Sequence, residues 1–501
     1  MMSDLARELT APNGEKYIQP IGLFINNEWV KSSHDQKIIT INPTDESEIT
    51  SVYSASAEDV DTAVAAARKA FQDPSWSNLP PTDRGNLLIS LSDLVTKHAR
   101  TLATIETWDN GKTIASASGD IKTVSEVLRY YGGYADKIHG QVIDTGPARL
   151  SYTIKEPVGV CGQIIPWNFP LLMAAWKLGP ALACGNTVVL KAAEQTPLSI
   201  LYLANLIKEV GFPPGVVNIL NGYGREAGVA IATHSDIDKI AFTGSTVTGK
   251  EVMKMASGTM KNITLETGGK SPLLVFDDAN LEQAVKWAHI GIMYNQGQVC
   301  SATSRILVQE SIYDSFLTLF KKRVQEVSVV GDPFAESTFQ GPQVTKAQYE
   351  RVLSYIKCGK EEGATLVSGG EPFSPGKTVG KGFFITPTIF TDVKPSMKIF
   401  REEVFGPFVV INSFKSEEEA LKIANDTTYG LGSAVFTKDI TRAHRVARKI
   451  EAGMVWINSS NDSSFKVPFG GIKQSGIGRE LGEAGLAGYT QIKSVFVNMG
   501  S

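Results

Sequence analysis

The chain has 501 residues, enough for two or three domains with substantial cores. Hydrophobic residues make up 42% and charged residues 20%, the balance of a soluble globular enzyme rather than a disordered or fibrous chain. With 49 basic against 52 acidic groups, the net charge of −3 gives no electrostatic reason to expect nucleic acid or an anionic membrane as partner.

The N-terminus has no apolar signal region, and Asp4, Glu8 and Glu15 argue against an Arg-rich transit peptide, so a cytoplasmic location is expected. To about residue 140 the pattern is mainly helical after a hairpin-like start at Gly22–Val30. From Pro157 to Trp176 no residue is charged, which is the length of a membrane span. Pro157, Gly159, Gly162, Pro166, Asn168 and Pro170 interrupt it, so it reads as a buried strand, a loop and the start of a helix.

From about 157 to 270 short apolar runs alternate with helical patterns. Strands are expected at Val158–Ile165, Thr187–Leu190, Val216–Leu220, Ile237–Phe242 and Ile263–Leu265. Helices are expected at Pro170–Ala183, Leu198–Val210, Arg225–Thr233 and Thr248–Ala256. Thr196-Pro197 reads as a cap and first-turn proline, and Gly211 as a helix stop. This alternation predicts an α/β fold with a parallel, doubly wound sheet. A second α/β unit begins near 270, with strand-like runs at Arg305–Val308, Phe383–Phe390, Phe408–Ile411, Ser433–Phe436 and Met454–Ile457. Ser416 and Glu419 fit a capping box.

Ligands of such sheets bind beyond the carboxyl ends of the strands. The predicted ends run into Pro166-Trp167-Asn168, Lys191 to Glu194, Gly222-Tyr223-Gly224, Gly244-Ser245 and Glu266, and parallel topology would bring all five to one edge. Lys191 and Glu194 suit the hydroxyls of an adenosine ribose, and the carboxylate would repel a 2′-phosphate. They read equally as a solvated pair. Gly244 to Gly249 opens a helix whose N–H groups could cradle a pyrophosphate, or could serve only tight strand–helix packing. Asn168 sits between aromatics in an apolar run, so its amide must find partners, an oxyanion among the candidates.

Four cysteines, Cys161, Cys184, Cys300 and Cys358, lack disulfide or metal-ligand spacing, so a reducing compartment and no metal are expected. Cys161 and Cys184 read as packing, and Cys358 as surface or half-buried. Cys300 alone stands in a glycine-bearing loop, Asn295-Gln296-Gly297-Gln298-Val299-Cys300, where a thiolate could be stabilised. Glu266 ends a strand in Leu265-Glu266-Thr267-Gly268-Gly269-Lys270. A thiol and a carboxylate so placed suit nucleophilic catalysis followed by hydrolysis.

These two segments resemble the cysteine and glutamate motifs of the aldehyde dehydrogenase superfamily, and most of the chain fits that pattern. The resemblance implies that Cys300 attacks an aldehyde, that Asn168 and the Cys300 N–H hold the oxyanion, and that Glu266 activates water against a thioester. Lys177 and Glu480 match positions that move protons around the glutamate. NAD is the implied cofactor. Its implied contacts are Ile164, Ile165, Pro166 and Trp167; Lys191 and Glu194; Gly224, Gly228, Phe242, Gly244 and Ser245; and Gly268, Glu403 and Phe405. Val247 and Thr248 depart from the family's usual residues there. A substrate tunnel would be lined by Phe169, Leu172, Met173, Trp176, Tyr294, Ser301, Asn461 and Phe469.

The Ser/Asn run 458–464 suggests a wide, polar tunnel mouth, or an exposed loop with no role in selectivity; it is closer to fungal cytosolic members than to animal mitochondrial ones. The implied architecture is a nucleotide-binding domain (1–139 and 157–268), a catalytic domain (269–472) and a small β oligomerisation element (140–156 and 487–501), assembling as a dimer or tetramer. The partner is a small-molecule aldehyde. Three alternatives remain: a CoA-acylating dehydrogenase, against which Glu266 argues; a thiol esterase or hydrolase; and a non-catalytic relative, against which the presence of Cys300, Glu266 and Asn168 argues.

Overall fold

Two mainly parallel sheets dominate the fold, and their central strands are buried and largely apolar. The computed structural model describes residues 4–376 and 380–500, so residues 1–3, 377–379 and 501 of the expected domains lie outside the described residues. The first sheet has the strand order Gly476–Ile477, Asn262–Glu266, Lys239–Thr243, Val160–Ile164, Thr187–Lys191, Val217–Leu220, Leu23–Ile25, Glu28–Val30. Its five central strands are parallel, in register through Leu220, Lys191, Ile164, Phe242 and Leu265. Strands buried on both faces read as near-continuous apolar runs, and Val160–Ile164 and Thr187–Lys191 are buried at every position, with Gln163, Thr187 and Lys191 as their polar members. Each fully buried Leu, Ile or Val side chain here contributes about 1.5–3 kcal/mol relative to exposure.

Helices cover both faces. Ala57–Gln72 and Val229–Thr233 pack on one side. Pro170–Ala183 and Leu198–Val210 pack on the other, backed by Pro81–Lys97, Ala99–Asn110 and Ile114–Gly132. Chain order reverses between Val160–Ile164 and Lys239–Thr243, which makes this the switch point where a crevice opens.

The second sheet has the order Thr365–Ser368, Thr388–Thr391, Phe408–Phe414, Arg305–Gln309, Pro272–Val275, Gly432–Phe436, Met454–Ile457, and it is parallel except for the first strand. A third, antiparallel sheet joins Val142–Asp144, Arg149–Pro157 and Thr490–Asn498. Among the described residues no helix is long and apolar enough to cross a membrane.

Several expectations need correction. The N-terminal part is not one hairpin followed by helices. It also holds Ala6–Thr10 with Lys16–Pro20 and Lys37–Ile41 with Glu48–Tyr53. The expected strand Phe383–Phe390 shrinks to Thr388–Thr391 because Pro387 lacks the N–H needed to continue a ladder upstream. Pro272–Val275 and Thr365–Ser368 were not anticipated.

The Ser416 box is half formed. Ser416 accepts the Glu419 N–H at 3.2 Å, but the Glu419 carboxylate accepts from Lys415 at 2.7 Å instead of from Ser416. Thr196 does not cap its helix. Its hydroxyl turns to the Trp167 carbonyl at 3.5 Å, and the Leu198 N–H is satisfied by Asp109 at 3.0 Å. Gly211 does end that helix, at φ +91°.

Candidate active site

The five parallel strands of the first sheet place Asn168, Lys191, Gly222, Gly244 and Glu266 along one edge, as their shared direction requires. Facing them are the residues that lead into the second sheet. Gly268–Lys270 precede Pro272–Val275, Cys300 precedes Arg305–Gln309, and Glu403–Gly406 precede Phe408–Phe414. The two edges meet closely. A Cβ on Gly269 would lie 2.8 Å from the Cys300 carbonyl oxygen, and one on Gly268 would lie 2.1 Å from a Glu403 carboxylate oxygen.

Cys300 follows a tight turn in which Asn295, Gln296 and Gly297 all take left-handed backbone, with φ of +49°, +57° and +69°. Such residues store strain and persist only where surroundings enforce them. The enforcement is visible. Asn295 Nδ2 donates to the carbonyls of Asn168 (3.1 Å) and Gln298 (3.3 Å), and Asn168 Nδ2 donates to that same Gln298 carbonyl at 3.0 Å. Asn168 is thus a buried amide that clips its own loop to the nucleophile loop. One of its two N–H groups serves that contact.

The expected stabilised thiolate is not found. Burial pushes the Cys300 thiol up to about 12; Glu403 and Glu266 push in the same direction, while the backbone N–H groups of Ser301 and Cys300 oppose them. No cation is among these influences, and low thiol pKa values need one or a helix N-terminus. The resting group is therefore a thiol, and attack requires a base.

Glu266 is the candidate base. It is the last residue of its strand, and both carboxylate oxygens are buried without a well-aligned hydrogen-bond partner. Burial raises its pKa well above the ordinary value and Glu480 adds to the rise, against Lys177, Arg479 and the backbone at Gly471. Lys177, fully buried, donates at 2.6 Å to both Glu480 and Thr243. Gly470 was missed in the sequence. A Cβ there would lie 2.5 Å from a Glu266 oxygen, so only glycine leaves the carboxylate room. The paired glycines Gly470-Gly471 were the available signal.

The cofactor candidates fall into two groups. Lys191 is buried and donates to Gly222 O (2.6 Å), Ala192 O (2.8 Å) and Glu194 (3.2 Å), with Glu194 partly exposed, so the pair is not merely a solvated one. Gly224 is exposed with open space about it, and Gly228 lies against the Lys191 side chain. Ile164, Ile165 and Phe242 are buried beneath this edge, with Pro166 and Trp167 partly exposed above them. Ser245 is exposed and caps the helix Thr246–Ala256 through the Thr248 N–H at 3.2 Å. Gly244 has a packing reason of its own, since a Cβ would lie 2.5 Å from the Phe242 ring.

On the other side of the crevice, Glu403 accepts the Gly269 N–H at 3.1 Å, and burial raises its pKa to about 7. The Phe405 ring meets Trp167 edge-on at 5.3 Å. A lysine–carboxylate pair at a strand end, an open glycine, a helix start capped by an exposed serine and a carboxylate over a glycine fit a dinucleotide.

The apolar candidates are buried or half-buried and pack in pairs. Trp176 packs edge-on against Phe469 at 4.9 Å and Phe169 stacks on Tyr294 at 6.3 Å; Met173 is buried on the same helix as Trp176. The Ser/Asn run is not a free loop. Ser301, next to Cys300, donates to Asn461 at 2.7 Å; Asn461 Nδ2 donates to Gly291 O at 3.0 Å; and Ser460 is buried against Thr303 at 3.1 Å. Only Asp462, Ser463 and Ser464 of that stretch face solvent. No cluster of metal-ligating side chains occurs among the described residues.

Known proteins are similar to this chain in sequence and fold. An aldehyde dehydrogenase of Aspergillus niger is 56% identical over 500 residues, which is 100% of this chain and 99% of that one. One from Emericella nidulans is 55% identical over 500 residues, with the same coverage. The solved NAD+ complex of an aldehyde dehydrogenase from Bacillus cereus superposes with a TM-score of 0.94 at 49% identity, covering 96% of this chain and 97% of that one. Residues 29–495 match the aldehyde dehydrogenase family, and the chain belongs to it.

Proposed function

We propose that the protein oxidises a small aldehyde to its carboxylic acid with NAD, through a covalent intermediate on Cys300. The observation that carries this reading is the buried, unpartnered Glu266 carboxylate, close enough to raise the pKa of the Cys300 thiol. Glu266 takes the thiol proton as sulfur attacks the carbonyl carbon. Asn168 Nδ2 and the Cys300 backbone N–H donate to the oxyanion of the thiohemiacetal. NAD, when bound, accepts the hydride that leaves this carbon, and a thioester remains on Cys300. Glu266 then removes a proton from water, which attacks the thioester and frees the acid and the thiol. A base pKa raised toward the working pH favours both proton transfers. Lys177 and Glu480 hold and pass protons behind Glu266.

Lys191 and Glu194 take the adenosine ribose, with Glu194 disfavouring a 2′-phosphate. Ile164, Ile165, Pro166 and Trp167 form the floor of the crevice with Phe242. Gly224, Gly228, Gly244 and Ser245 border the pyrophosphate, and Gly268, Glu403 and Phe405 border the nicotinamide riboside. Phe169, Met173, Trp176, Tyr294, Ser301, Asn461 and Phe469 line the aldehyde path. The chain divides into a nucleotide-binding domain (1–139 and 157–268), a catalytic domain (269–472) and an oligomerisation element (140–156 and 487–501). It works in the cytoplasm as a homo-oligomer.

The test is NADH formation over a panel of short, aromatic and amino-bearing aldehydes, with no CoA added. Product that disappears in Cys300→Ala supports the reading. Ester hydrolysis without NADH would favour the hydrolase alternative, and activity surviving Cys300→Ala would remove the nucleophile assignment.

A further inference from the structure

A buried polar layer that takes no part in the chemistry above lies beneath the loop carrying Asn168. It comes from the end of the helix Ala99–Asn110 and the turn that follows. Glu106, Asp109, Asn110 and Lys112 are all buried. Taking charged groups out of water costs several kcal/mol per ion unless partners offset it, and apolar residues would fill the same space more cheaply.

The partners explain their presence. Asn110 Nδ2 donates to the carbonyl of Trp167 at 2.7 Å. Glu106 accepts the N–H of Leu171 at 3.0 Å and the Ser199 hydroxyl at 2.7 Å. Lys112 Nζ lies 4.3 Å from the centre of the Phe169 ring and is held by Asp120 at 2.6 Å. The backbone is therefore gripped on both sides of Asn168, at Trp167 and at Leu171, and the intervening Phe169 ring is held too.

The same turn reaches the opposite loop. The Gly111 carbonyl accepts from Gln296 Nε2 at 3.4 Å, four residues before Cys300. Gly111 itself is left-handed at φ +85°, and a Cβ would come within 2.9 Å of both Pro43 and Pro342, so the turn cannot readily shift.

We propose that the turn Asn110–Lys112 is a positioning module that sets Asn168 against Cys300, with Asn110 as its principal contact. The proposal rests on the reading of Asn168 as an oxyanion donor. Such a donor works only within about 2.7–3.1 Å of the developing charge, and a displacement of about 1 Å can cost about a hundredfold in rate. Asn110 touches neither substrate nor cofactor and acts through the Trp167 carbonyl.

A double-mutant cycle tests it, with the full-length enzyme, NAD and acetaldehyde. Asn110→Ala is expected to lower kcat by about ten- to a hundredfold while the Kd for NAD changes by less than about threefold. In an Asn168→Ala background the same change is expected to lower kcat by less than about threefold, because the donor it positions is already gone. Asn110→Ser, too short to reach the Trp167 carbonyl, gives the same cycle if Asn110→Ala proves insoluble. Effects of Asn110 and Asn168 that simply multiply would mean a general structural role and overturn the proposal. So would a slowed Asn168→Ala beside an Asn110 variant with the parent kcat. An Asn168→Ala enzyme as fast as the parent would instead remove the oxyanion reading, and the module with it.

Discussion

Lys177 binds Glu480 at 2.6 Å, and by doing so the ammonium is shared away from Glu266, whose carboxylate has no well-aligned hydrogen-bond partner of its own. The three buried groups form one electrostatic unit, in which burial and Glu480 raise the Glu266 pKa and Lys177 lowers it. In such surroundings the charge of each group decides the protonation of the next.

The pH profile of kcat/KM should therefore have its acid limb well above the range of an ordinary carboxylate, since Glu266 acts ionised and activity is lost as pH falls through its raised pKa. Glu480→Gln removes a negative neighbour and frees Lys177, so the limb should move to lower pH. Lys177→Met removes the opposing cation, so it should move to higher pH. Each shift is expected to be about one pH unit, equal to about 1.4 kcal/mol. Limbs moving in the same direction for both variants would contradict this arrangement.

The thiol offers a second check. With the Cys300 thiol held up near 12, alkylation by iodoacetamide in the absence of substrate should be slow and rise about tenfold per pH unit from about pH 7 to 9, without a plateau. Glu403→Gln removes the larger of the two charged influences and should speed alkylation at fixed pH. Peptide mapping by mass spectrometry assigns the label to Cys300 rather than to Cys358, the other cysteine that is not fully buried. A plateau below about pH 8 would mean a preformed thiolate.

How much of this could be read in the chain varies with what signals each feature. The alternation from 157 to 270 was legible because parallel strands buried on both faces are apolar runs and their helices end at glycines such as Gly211. The convergence of Glu266 and the Asn168 loop on one edge was legible because parallel strands bring their carboxyl ends together. The protonation of Cys300 was not, because it depends on Glu403, which lies a hundred residues away in sequence. The role of Gly470 was hidden for the same reason, since only the fold brings it against Glu266. The Lys37–Ile41 strand was missed although its alternating burial leaves a period-two trace in Lys-Ile-Ile-Thr-Ile. Ser416 and Glu419 matched a local motif, but the neighbouring Lys415 N–H took the carboxylate.

Cofactor choice should turn on Glu194. If it borders the adenosine ribose as proposed, its carboxylate, held at 3.2 Å by the buried Lys191, would place like charges together with a 2′-phosphate. Glu194→Gln removes the repulsion and leaves the lysine, so kcat/KM for NADP should rise by about tenfold or more, with kcat/KM for NAD falling through the lost ribose contact. Unchanged discrimination, measured as the ratio of the two values, would move the specificity elsewhere.

Assembly is the last prediction, and it follows from the antiparallel sheet of Val142–Asp144, Arg149–Pro157 and Thr490–Asn498. That sheet pairs fully along Thr490–Asn498 yet leaves Ile492 70%, Phe496 68% and Ile143 46% exposed on one face, with Val142 78% exposed on the other. Strand faces and edges this apolar invite pairing, and isolated large apolar side chains are rarely grouped so on a monomer. Light scattering on the eluting protein should give a small multiple of the chain mass. Ile492→Asp combined with Phe496→Asp should shift it to a single chain, because burying two carboxylates against a partner costs several kcal/mol while leaving them in water costs the monomer little. The far-ultraviolet circular dichroism should stay unchanged, which separates dissociation from unfolding. A parent protein already monomeric at micromolar concentration would exclude this sheet as a contact between copies.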